Sequence, residues 1–170
     1  MKIFILPSWY PYPSNPVNGT FFKEHAETLA AAGHEVVVVA AEIISLRSFF
    51  ASRKDLGTRI YSENGVKTYQ CLASNRHPKR PEAFYGRYRK ILKTLLDTAL
   101  KNEGTPDCFH VHSSLWTGAA LASFDPDVPV VISEHLKEFL MYDGFSPLPE
   151  RTDQRSVQKS LRAHRALKSG

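Results

Sequence analysis

Lys2-Ile-Phe-Ile-Leu6 and Val36-Val-Val-Val-Ala-Ala41 flank a segment, Thr20 to Ala32, in which Phe21, Phe22, His25, Leu29 and Ala32 recur at intervals of three and four residues. The flanking runs are almost wholly apolar and rich in β-branched residues. That composition suits strands covered on both faces, as parallel sheets require. The middle segment has helical periodicity, and Gly33 is placed to end it. Strand, helix and strand within about forty residues make a βαβ unit, and this unit decides the fold class.

Outward from that unit the alternation continues. Ile43 to Ile60 holds Leu46, Phe49 and Phe50, the makings of a short helix. Asn64-Gly65 is a turn signal between Arg59–Tyr61 and Val66–Gln70, which predicts a hairpin. Ser74 to Pro81 reads as a polar, basic loop. Glu82 to Asn102 carries Phe84, Tyr88, Ile91, Leu92, Leu95, Leu96 and Ala99 at helical spacing. Asp107–His112 and Val128–Ser133 read as strands around a short helix at Thr117–Ser123, and Arg151–Lys168 reads as a polar terminal helix. With right-handed crossovers, this order gives a single α/β domain. It is a doubly wound, mostly parallel Rossmann-like sheet with helices on both faces. In such sheets ligands bind beyond the carboxyl ends of the strands, so the loops after Leu6, Val111 and Ser133 are the places to look.

The 170 residues suit one domain with its own core. Two cysteines, Cys71 and Cys108, give neither a disulfide framework nor metal-ligand spacing, and read as small buried thiols. With no apolar run of about 18 residues and no signal-peptide apolar region, a cytoplasmic protein is expected. The net charge of +5 is uneven. Arg76 to Lys101 carries +6, Arg151 to Lys168 carries +5, and the remainder carries −6. Two basic segments on an acidic body exclude a uniformly basic nucleic-acid binder and point to local anionic partners.

Three clusters could carry chemistry. The loop from Pro7 to Gly19 opens a helix, where backbone amides and a glycine let an anion approach. It has neither a Gly-x-Gly-x-x-Gly fingerprint nor a Gly-Lys-Ser/Thr ending, so the usual dinucleotide and ATP sites are disfavoured. In its polar surroundings Trp9 is a candidate to stack on a sugar ring, or to pack beneath the loop. His110-Val-His112 places two imidazoles on one face of a strand end. Ser133-Glu134-His135 closes the next strand on the same rim. His25 and His34 read as helix-packing and loop residues.

Taken together, Pro7-Ser-Trp-Tyr-Pro11, Asn18-Gly-Thr-Phe-Phe-Lys-Glu-His25, Leu29-Ala-Ala-Ala-Gly-His-Glu-Val36, Glu63-Asn-Gly-Val66, Asp107-Cys-Phe-His-Val-His112 and Val130-Val-Ile-Ser-Glu-His135 are familiar. They resemble the amino-terminal domain of the retaining glycosyltransferases of family four, of GT-B type, over roughly the first 135 residues. The resemblance implies two Rossmann-like domains facing across a cleft, the amino-terminal one on the acceptor side and the carboxy-terminal one holding the nucleotide sugar. It implies that Asn18, Gly19 and Thr20 face the donor diphosphate or an acceptor phosphate. It places Trp9, Glu134 and His135 near the acceptor, and makes His112 the catalytic-site histidine that orients donor hydroxyls or the acceptor. It implies no metal and no other cofactor. Arg76, Lys79 and Arg80 would meet an anionic, lipid-linked acceptor or the inner face of the membrane.

The acidic and basic pairs of the family's donor half are missing from this sequence. The chain is therefore expected to be a truncated, acceptor-binding half that does not transfer sugar alone. Two alternatives remain: a metal-dependent hydrolase using His110, His112 and His135, and a non-catalytic binding domain of flavodoxin-like topology.

Overall fold

The computed structural model describes residues 1–76 and 79–134. The terminal helix expected over Arg151–Lys168 and the side chain of His135 lie outside them.

The apolar run at the amino terminus forms β1 (Lys2–Leu6), which parts into two faces by simple alternation. Ile3 and Ile5 pack under α1 (Thr20–Ala31), against Phe22 and Ala26. Phe4 and Leu6 face the opposite layer, with Leu92, Leu95 and Ala99 of α3 (Pro81–Glu103). β2 (Glu35–Ile44) repeats the pattern, Val36, Val38 and Ala40 on the α1 side and Val37, Val39 and Ala41 on the α3 side. These strands are apolar on both faces because each face has its own helix layer.

α1 ends as Gly33 predicts. Gly33 has φ +87°, its N–H donates to Ala30, and the His34 N–H donates to Leu29. The ambiguous stretch after β2 resolves into α2 (Leu46–Ser52), capped by the Ser45 side chain, followed by a 3₁₀ turn at Arg53–Asp55. Next comes the predicted hairpin, β3 (Gly57–Glu63) antiparallel to β4 (Val66–Ser74), turning on Asn64 and Gly65 at φ +49° and +80°. Positive φ at both central residues is what a two-residue hairpin loop of matching twist requires. β5 (Cys108–His112) leads through a π-helical turn at Ser114–Gly118 into α4 (Ala119–Ala122) and then β6 (Val130–Ser133).

The described residues form one six-stranded sheet in the order β3-β4-β2-β1-β5-β6, parallel except for β3. The chain builds outward from β1 to one side, then returns to start the other side with β5. The topological switch point therefore lies between β1 and β5, where a crevice opens at the carboxyl ends of the strands. One expectation is corrected: Cys71 and Cys108 are only partly buried, each packed against the outside of a core cluster. Burial and the neighbouring Asp107 still raise the Cys108 thiol above its usual range.

Leu92 is wholly buried in the α3 layer. Leu92→Ala should cost about 2–5 kcal/mol, through lost transfer free energy and the cavity left behind. Chemical denaturation measures this, and a loss well under 1 kcal/mol would place α3 elsewhere.

Candidate functional site

The switch point is built from three segments that meet on the rim. The first is the loop between β1 and α1. Gly19 has φ +67°, and a Cβ there would lie 2.7 Å from the Trp9 carbonyl oxygen and 2.9 Å from Trp9 Cδ1. Only glycine satisfies both the left-handed backbone and that approach. The Gly19 carbonyl then accepts from the Phe22 and Lys23 N–H groups to begin α1. Among the described residues that helix start has no side-chain cap, and its first turn holds no acidic residue beside the positive end of the dipole. Thr20 is exposed beside it.

The Asn18 amide is held within the fold. It donates to the Tyr10 carbonyl (3.2 Å) and to Glu42 Oε2 on β2 (2.9 Å). Burial pushes the Glu42 carboxyl up, while hydrogen bonds from the Tyr10 N–H and Asn18 pull it down. The Asn18 side chain thus ties the loop to β2. Trp9 packs edge-on against Phe22, with ring centroids 5.5 Å apart, so it supports the loop and the helix start at once.

The second segment is the end of β5. His110 and His112 project to the same side, as their spacing predicts, with ring centroids 4.4 Å apart. His112 is buried at 1% exposure, and His110 Nε2 lies 2.8 Å from Ser133 Oγ at the end of β6. The next residue, Ser113, has φ +77° in a buried position, and a π-helical turn starts immediately after it. Left-handed backbone at a non-glycine residue and a π-turn both cost free energy and cluster at functional sites. A buried hydrogen-bond network holds this turn. Ser8 Oγ donates to the His112 carbonyl (2.9 Å), and Thr117 Oγ1 meets both Tyr88 Oη (2.7 Å) and the Pro7 carbonyl (3.4 Å). Glu134 Oε2 accepts from the Ser114 N–H (2.9 Å) and hydroxyl (2.6 Å), so this carboxylate closes the rim as well as lining it.

The third segment is α1 itself, and here an expectation fails. His25 is no mere helix-packing residue. Its Nδ1 lies 3.3 Å from His112 Nε2, and its ring stands edge-on to both His110 and His112 at 5.0 and 5.3 Å. Helical periodicity marks His25 as inward-facing, and that face of α1 looks onto the rim. Phe22 adds a ring 4.8 Å from His112. His34, by contrast, sits between α1 and β2, away from this group.

A cavity of about 860 Å³ lies on another side of α1, lined by Thr20 at the helix start and by Tyr12, Lys23, Glu27, Arg59 and Tyr61 among others. It contains none of the three histidines. The strand-end chemistry and the backbone strain both lie at the switch point, and the site is placed there.

Residues 19–168 match a family described as the glycosyl transferase 4-like domain. The chain belongs to that family. It is also similar to a protein of Bacillus subtilis (strain 168) described as a teichuronic acid biosynthesis glycosyltransferase, TuaC, at 23% identity over 165 residues. That match covers 92% of this chain and 42% of the relative, so the chain spans less than half the relative's length. Membership of that family fits a site at the switch point of a parallel sheet.

Gly19→Ala tests the loop. The variant should lose about 1–3 kcal/mol from the left-handed backbone and the enforced separation from Trp9. Its tryptophan emission should change as the Trp9–Phe22 contact loosens. Unchanged stability and emission would show that the two segments do not approach as described.

Proposed function

We propose that this chain is the acceptor-binding half of a retaining glycosyltransferase, with the nucleotide-sugar donor held mainly by a second domain. The carrying observation is the convergence of His112, the uncapped start of α1 and the strained Ser113 turn at one switch point. In this reading the backbone around Gly19 and Thr20 and the α1 dipole stabilise the diphosphate leaving group. His112, fixed by His25 and by the network below it, orients the reacting sugar or the acceptor. The bond from the anomeric carbon to the diphosphate breaks, the acceptor oxygen takes its place on the same face, and the acceptor proton passes to the leaving phosphate. No metal is called for in this sequence of events. Glu134 and His135 complete the acceptor side, and Trp9 acts through the packing of the loop.

The description of TuaC supports an acceptor in polysaccharide or glycolipid biosynthesis. A lipid-linked acceptor at an anionic membrane is supported by the basic surface. Arg76, Lys79 and Arg80 are all exposed, whereas Arg87 donates to the Ser74 carbonyl and Lys93 is paired with Asp97 at 2.7 Å. The Asn75 N–H donates to the Ile44 carbonyl, which sets the basic loop beside α2. On α2, Leu46 and Phe50 are 52% and 78% exposed. Exposed apolar side chains with adjacent cations suit the interface of an anionic bilayer. No helix among the described residues is long and apolar enough to cross a membrane.

Given a panel of nucleotide sugars and acceptors, the 170-residue chain alone should release no nucleoside diphosphate. Turnover by a sample shown by mass spectrometry to hold no second polypeptide would contradict the division of labour. Replacing Arg76, Lys79 and Arg80 together by Ser should weaken sedimentation with anionic vesicles by about tenfold or more, at about 1 kcal/mol per cation. It should leave the weak binding to neutral vesicles as it was. Equal binding to anionic vesicles before and after would remove the membrane from this reading.

A further inference from the structure

His25, His110 and His112 offer one ring nitrogen each, and the three nitrogens lie within 4.8 Å of one another. From this geometry we infer that the rim of the switch point is a binding site for a divalent transition cation of the zinc class. The inference does not rest on the transferase reading.

Two imidazole nitrogens on a tetrahedral zinc, each about 2.0–2.1 Å from it, stand about 3.3–3.4 Å apart. His25 Nδ1 and His112 Nε2 are 3.3 Å apart. With a proton between them this is a hydrogen bond, and with a cation in the proton's place it is one edge of a coordination tetrahedron. The remaining separations reach at most 4.8 Å, wider than the edge of a coordination tetrahedron, so one imidazole must turn inward as the cation binds. The ligands come from three positions on two elements that are already fixed. His110 and His112 share one face of β5, where His112 is buried, and His25 stands on α1, whose start is held by the approach of Gly19 to Trp9. With His110 ligating through Nδ1, Ser133 Oγ at 2.8 Å from Nε2 is an outer contact of the kind that orients ligating histidines.

The donor set selects the ion. Three neutral nitrogens suit zinc, cobalt, nickel or copper and not magnesium or calcium, which take oxygen ligands. Three protein ligands with a fourth position for water or substrate is the arrangement of an open zinc site. His25 and His110 are only partly buried, so the ion has a way in. A cation here engages the His112 ring that the transfer reading gives to the substrate, so the two uses of the site compete.

The test uses the 170-residue chain with Zn²⁺ in isothermal titration, and with Co²⁺ in visible spectroscopy. Expected are one Zn²⁺ per chain, with a dissociation constant of about 10 μM or tighter, and the intense visible absorption of tetrahedral Co²⁺. His25→Ala should weaken binding by at least about tenfold and abolish the cobalt absorption. His34→Gln, remote from the group, should change neither. If His25→Ala proves misfolded by circular dichroism, His110→Asn supplies the same comparison. Absence of binding, or binding that survives both His25→Ala and His110→Asn, overturns the inference.

Discussion

Everything on the rim depends on how closely the backbone of Gly19 approaches that of Trp9. A side chain at position 19 would sit 2.7 Å from the Trp9 carbonyl oxygen, a distance at which something must move. Because nothing is there, the loop folds back on β1 and α1 starts at Thr20. The start of the helix sets its angular register, and that register places His25 over the end of β5. A shift of one residue would rotate His25 by about 100° and remove it from His112. The contact also brings an uncapped helix end, with its positive partial charge, to the crevice where the strand order reverses.

The opposite wall of the crevice adds buried polar contacts to the apolar packing of Tyr88, Val111 and Leu121. Thr117, Tyr88, Ser8 and the carbonyls of Pro7 and His112 form a network under the turn after β5. Thr117 is wholly buried, so its hydroxyl needs partners there, and the network provides them. The network joins β1, β5 and α3 where the sheet's apolar layers run out. It opposes the relaxation of Ser113 from its left-handed conformation. Such a turn persists only where its surroundings over-determine it.

Most of the fold was legible in the sequence because its strongest signals are local. The apolar runs at Lys2–Leu6 and Val36–Ala41, the Asn64-Gly65 turn and the helical spacing from Phe84 to Ala99 each specify an element without knowledge of its neighbours. The choice of rim and the pairing of His110 with His112 followed from strand alternation and topology alone. What stayed hidden depends on three-dimensional convergence. His25 carries the same periodic signal as a core residue, and only the position of α1 over β5 shows that it faces two more imidazoles. Asn18 lies in a motif that suggests ligand contact, yet the Glu42 carboxylate of β2 captures its amide, and no local pattern links residues 18 and 42. Ser113 gives no sign of left-handed backbone, since serine has no special preference for it.

The central claim is that α1 and β5 meet through His25 and His112. Long-range proton–nitrogen spectra of the histidine rings test it most directly, at a pH where both rings are neutral. A 3.3 Å contact between Nδ1 of His25 and Nε2 of His112 requires one nitrogen to carry the proton and the other to accept it. The account predicts complementary single tautomers at these two nitrogens. Independent, mixed tautomers at both rings would contradict it.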